Sequence, residues 1–204
     1  MKLIKITVIA FILNTGLVIG QTDEEIINSF ATTYELEAKG SYKEASDELK
    51  KVYSENSYEI NLRLGWLTYN AGLFQESAAY YQNALNLKPY SEEAKFGLIY
   101  PKVAQGKWIE VVKIYKEILS VNPSNTIANY RLGLIYFGQK KHTQANEYFE
   151  KVLNLYPFDY DSLIMLAWTN YYLGKNSTAK VLFNKALMNR PNDKSAKEGL
   201  ELLK

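Results

Sequence analysis

Apolar residues recur along most of the chain at the three-and-four spacing of helix faces. Between 130 and 153 they fall at Tyr130, Leu132, Gly133 and Tyr136, and then at Ala145, Phe149, Val152 and Leu153. Lys140-Lys141 separates the two stretches, so the segment reads as two amphipathic helices with polar punctuation between them. The punctuation is itself periodic. Pro89, Pro123, Pro157 and Pro191 each lie 34 residues after the last, and Gly72, Gly106 and Gly174 keep the same step, with Lys140 in the remaining place. A glycine supplies the left-handed turn that stops one helix. A proline stops the second, because it has no N–H and disfavours helix in the residue before it. A fixed period of this size predicts a stack of like helical pairs, not one closed globule.

Certain residue types keep fixed places within the period. One unit carries Leu132-Gly133, Tyr136, Ala145, Phe149 and Pro157. Another carries Leu64-Gly65, Ser77, Tyr81, Ala84 and Pro89, and a third Leu166-Ala167, Ala179, Phe183, Ala186 and Pro191. This set resembles the tetratricopeptide repeat. The unit between is degenerate: Leu98 is followed by Ile99, and Val111 stands where a small residue is usual, while Tyr115 and Pro123 hold the register. The first unit keeps Gly40, Ala45, Leu49 and Val52 but lacks the proline. The resemblance implies an all-α fold, a right-handed α-solenoid of antiparallel helix pairs. Its units fall at about 26–57, 58–91, 92–125, 126–159 and 160–193, with a capping helix at 194–204. Small residues let helices approach closely, and Tyr81, Tyr115, Phe149 and Phe183 fill the space between units. In the cap, Ala196, Leu200 and Leu203 form the inner stripe.

The resemblance also implies that the first helix of each unit lines a concave groove holding a partner segment. On those helices a large apolar pair four residues apart recurs at Phe30/Tyr34, Leu62/Trp66, Phe96/Tyr100, Tyr130/Leu134 and Ile164/Trp168. A turn further on stand Tyr69, Val103, Phe137 and Tyr171. Nearby charge is sparse and acidic, at Glu37, Glu59, Glu93 and Asp161. Two readings stay open: the stripe packs first helix on first helix, or it is an exposed binding surface. Relatives that clamp acidic tails use lysines and asparagines here. Only Arg63 and Arg131 lie beside this stripe, so that activity is not carried over. Pro101 falls inside a first helix beside Tyr100, and a kink there would re-aim that ring.

Composition trims the remaining possibilities. There is no cysteine and one histidine, His142, which leaves no thiol chemistry and no histidine metal cluster. No cofactor is called for. A net charge of +2 is too balanced for a nucleic-acid footprint. The start is different in kind. Lys2 and Lys5 precede an uncharged run over 6–20, which is shorter than the roughly 20 residues of a membrane span. It reads as a secretory signal cleaved between Gly20 and Gln21, giving a periplasmic or secreted protein. The alternative is an uncleaved anchor through residues 3–20, the one case in which a membrane is a partner. The functional expectation is a non-catalytic scaffold in a cell-envelope complex. It would bind an apolar protein segment that carries some basic residues. The alternative is a glycan-binding module that uses Trp66, Trp168 and the tyrosines as sugar platforms.

Overall fold

Each first helix opens on a small polar residue, and these residues also keep the repeat. Ser57, Ser91, Asn125, Asp159 and Asp193 each accept a hydrogen bond from the backbone N–H three residues on. Such a cap contributes about 1 kcal/mol by satisfying an amide that the helix itself leaves free. The structure is a computed structural model and describes residues 22–204. The proposed leader and its Gly20–Gln21 junction lie outside the described residues.

Among the described residues the chain is helical throughout: α1 (Asp23–Ala38), α2 (Tyr42–Lys50), α3 (Tyr58–Asn70), α4 (Phe74–Leu87), α5 (Glu92–Ala104), α6 (Trp108–Val121), α7 (Thr126–Gly138), α8 (His142–Leu155), α9 (Tyr160–Tyr172), α10 (Asn176–Asn189) and α11 (Lys194–Glu201). Odd-numbered helices α1 to α9 are the first helices of five pairs. A capping box between Thr22 and Glu25 opens α1. The turns that end first helices use the left-handed region, at φ 78° for Gly72 and 71° for Gly174. Lys140 occupies that region too, at φ 59°, where a side chain is strained.

Close approach comes from an interlock of glycine and ring. A Cβ built on Gly133 would lie 2.5 Å from Phe149 Cε1, and one on Gly199 would lie 2.2 Å from Phe183 Cζ. Gly65 and Gly97 grip Tyr81 from its own pair and the next one. Phe149 and Phe183 are fully buried as a result. Burial of such a ring contributes about 1.5–3 kcal/mol, so the glycines act through the rings they admit.

The central pair breaks this pattern. Tyr115 takes the ring position, but Ile99 stands where Gly65, Gly133 and Ala167 stand in other units; Arg131 stands where Gly97 and Gly199 do, a place that Met165 holds beside Phe149. Val111 likewise replaces the small Ser77, Ala145 and Ala179. Ile99 and Val111 crowd Tyr115 from its own pair, where the other rings meet small residues, and the helices stand apart. Accordingly α6 packs loosely on α5 and α7, and α5 and α7 scarcely meet, whereas α3 touches α5 and α7 touches α9. Pro101 is buried, and α5 runs through it unbroken to Ala104. The proline removes one intrahelical hydrogen bond without ending the helix.

Candidate binding groove

The opening between α5 and α7 is a wedge-shaped cavity of about 760 Å³. Val111 and Tyr115 of α6 form its floor. Phe96, Ile99, Tyr100 and Val103 form the α5 wall, and Ile127, Leu134 and Ile135 the α7 wall. Phe96 meets Tyr115 edge to face at 6.4 Å, which seals the bottom of the wedge. Burial pushes the Tyr115 hydroxyl above its ordinary pKa, and the neighbouring Arg131 charge opposes that rise. Trp108 and Ile127 stand at the mouth, 50% and 58% exposed, and Tyr100 between them is 49% exposed. Arg131, also at the mouth, has no ion pair or hydrogen bond among the described residues.

A second hollow of about 570 Å³ continues from the wedge over α1, α3 and α5 and shares Phe96 and Tyr100 with it. Phe30, Tyr34, Leu62 and Trp66 line this hollow together with Glu59 and Glu93. Its walls are braced by a polar network. The Trp66 indole N–H donates to Glu37 Oε1 at 2.6 Å, Arg63 pairs with the same carboxylate, and the Arg63 guanidinium lies 4.0 Å above the Tyr34 ring. Burial raises the Glu37 pKa, but the hydrogen bonds from Trp66 and Arg63, with the Arg63 charge, outweigh it and hold the carboxyl below its ordinary value. Trp66 then meets Tyr100 edge to face at 6.4 Å, and Tyr69 lies 5.4 Å from Tyr100. Glu59 is held below its ordinary value first by its own backbone amide and then by Lys88. Glu93 accepts a hydrogen bond from the Tyr58 hydroxyl.

The stripe read from the sequence is therefore two things. Its first half, Phe30, Tyr34, Leu62, Trp66, Phe96 and Tyr100, lines the continuous groove, and Tyr69 and Leu134 line the wedge. Of the second half only Ile164 is withdrawn; Tyr130, Phe137, Trp168 and Tyr171 are half-buried, as Phe30, Leu62, Trp66 and Phe96 are. Ile164 is buried in the core, and Tyr130 packs at 5.8 Å on Phe149. Phe137 packs edge to face on His142 and Tyr172. Trp168 packs at 5.1 Å on Phe183, its N–H donates to Ser195 Oγ at 2.7 Å, and Tyr171 packs on it in turn. Asp161 is exposed beyond this half. The wedge residues Ile99, Trp108, Val111, Ile127 and Ile135 are additions that the stripe did not contain. Their signal was Ile99 and Val111 occupying positions of small residues.

Residues 127–159 match the family model described as tetratricopeptide repeat. A human relative, Protein O-mannosyl-transferase TMTC1, is 33% identical over 102 residues; the match takes in 50% of this chain and only 12% of that protein. Among solved structures, a tetratricopeptide repeat protein from Parabacteroides merdae superposes with a TM-score of 0.75 at 20% identity, covering 88% of this chain and 72% of the other. YrrB, described as a TPR protein with an unusual peptide-binding site, superposes with a TM-score of 0.69 at 15% identity, covering 88% and 94%. One unit, residues 127–159, thus matches the tetratricopeptide repeat directly, and the described chain shares the all-helical solenoid fold of these structures.

Proposed function

We propose that this solenoid is a non-catalytic scaffold that holds an apolar segment of a partner protein along α1, α3 and α5 and anchors it in the wedge before α7. The wedge carries the reading. Large side chains left half exposed around an apolar cleft mark a binding site, and here the cleft lies mid-stack. YrrB, whose description names peptide binding, lends support at the level of fold. Glu59 and Glu93 at one end and Arg131 at the other give the groove a direction. A segment with a basic residue toward α3 and its apolar anchor toward α7 fits that direction. Few charges are involved, so binding weakens only modestly with salt. Sugar binding is the poorer fit, because sugars want carboxylates and amides interleaved with the rings, and the lining here is mainly apolar. The setting we propose is the cell envelope after export. Intact mass of protein from its native host supports this if the chain starts at Gln21. A chain that keeps residues 1–20 in the membrane fraction makes it an anchored scaffold instead.

The test is selection of displayed peptides on the purified protein and on a Tyr100→Ala/Ile127→Asp variant. Both residues are half exposed, so the variant should keep its fold, which circular dichroism verifies. The expected result is one enriched class with large apolar anchors and at least a tenfold loss of binding in the variant. No enriched class, or equal binding to the variant, overturns the reading.

A further inference from the structure

A third cavity lies apart from the groove, where α4 and α6 flank α5. It has a volume of about 570 Å³ and contains Lys95. Lys95 is only 7% exposed and has no hydrogen bond or ion pair from its ammonium group among the described residues. The repeat explains why it is stranded. The same register position holds Asn61 and Asn129 in the flanking units. Those short amides fold back on the preceding turn: Asn61 Nδ2 donates to the Glu55 and Ser57 carbonyls, and Asn129 Nδ2 to those of Pro123 and Asn125. A lysine is too long to make that contact, and its stem carries the ammonium past the turn.

The rest of the cavity sets what fits there. Lys102 pairs with Glu110, and Lys113 lies 3.8 Å from Glu117, so the four other charges on the wall cancel. The hydrogen bond from Lys102 holds the Glu110 carboxyl below its ordinary value, which keeps that acid ionised and occupied. One positive charge is left over, on Lys95. The Asn86 amide accepts from Gln82, which leaves its own N–H groups free to donate to a ligand. Leu98 and Ile114 supply an apolar wall. The stem of Lys95 is buried, and its ammonium reaches the water of the cavity, where it is open to an anion.

We infer that this cavity is a second binding site, separate from the groove, for a single carboxylate on a short apolar body, with Lys95 as the counter-charge. A dianion such as phosphate fits less well, because Glu110 and Glu117 face a second negative charge at the rim.

The experiment titrates the full chain with butyrate at constant ionic strength and follows the lysine ε-methylene signals by NMR. Saturation at Lys95 is expected, with a dissociation constant of about 1–10 mM, as suits one ion pair on so small a ligand. Lys95→Asn installs the residue of the neighbouring units, so the fold persists, and saturable binding should vanish. A blocked Leu-Glu-Leu peptide, whose one carboxylate is a side chain, distinguishes a protein-borne acid from a free one by which probe binds more tightly. Saturation that survives in Lys95→Asn, tighter binding of inorganic phosphate, or no saturable shift at Lys95 with either carboxylate probe overturns the inference.

Discussion

Helix α7 offers the same substitution at two glycines with opposite expected outcomes. At Gly133 an added Cβ would lie 2.5 Å from Phe149 Cε1 and 2.8 Å from both Cδ1 and Cζ. Ordinary carbon contacts are about 3.5–4.0 Å, so the ring would have to retreat by about 1 Å. Phe149 is fully buried and has nowhere to go. Overpacking of this kind costs about 1–3 kcal/mol, and the better helix propensity of alanine returns about 1. Gly133→Ala should thus lose up to about 2 kcal/mol net. Gly138 ends the same helix with nothing within 4 Å of its added Cβ, so Gly138→Ala should gain about 0.5–1 kcal/mol. Urea unfolding followed by far-UV circular dichroism measures both, with a common m-value as the check on comparability. Placing Gly133→Ala in a Phe149→Leu background should recover at least about 0.5 kcal/mol of the penalty, because the two residues touch. If Gly133→Ala is as stable as Gly138→Ala, the glycine–ring interlock does not set helix spacing. Ile99 and Val111 then do not explain the open wedge either.

Other expectations follow from the same geometry. Lys140→Gly relieves a side chain held at φ 59° and should stabilise the protein by about 0.5–1 kcal/mol in the same urea assay. Deleting 194–204 uncovers Phe183, against which Gly199 packs, and takes Ser195 from Trp168; a loss of about 2–3 kcal/mol or outright aggregation is expected, and an unchanged melt would show that α11 caps nothing. Because the folded-state pKa of Glu37 is lowered, its contribution is complete above the ordinary value of 4.5 and is lost as pH falls through the folded value. Stability measured against pH should therefore lose part of its acid-side slope in Glu37→Gln, and an unaltered slope would show that the Trp66–Glu37–Arg63 network carries no net weight.

The helical pairs were legible because proline, glycine and aromatic positions share one period and each acts locally. The helix caps carry the same period but in three residue types, serine, asparagine and aspartate, so they do not stand out as one repeated letter. The aromatic stripe was legible as one helix face, but not how each residue of it packs. Spacing of four puts Phe96/Tyr100 and Ile164/Trp168 on equivalent helix faces, yet the first pair lines the groove, whereas Ile164 is buried and Trp168 is half-buried. Trp168 leans on Phe183 and Ser195, which reach it only once α10 and α11 are stacked on α9. The wedge was written in the sequence as a departure, Ile99 and Val111 in small-residue places. The place of Arg131 is also filled by a long side chain in the next unit, Met165, so it does not single out the wedge. Pro101 had the opposite fate. Its local rule called for a kink or a break, and α5 is not broken: it runs on through the buried ring to Ala104.

The central claim is that a partner occupies the wedge, and site-specific photocrosslinking in the native host tests it most directly. A benzoylphenylalanine at position 127 sits at the mouth of the wedge, and one at position 181 is comparably exposed on α10, away from it; Ile127 and Val181 are 58% and 55% exposed. The expected result is one discrete crosslinked protein from position 127, lost when Tyr100→Ala is added, and none of that product from position 181. The same product from position 181 alone, or from 127 regardless of Tyr100, would place the partner elsewhere and contradict the account.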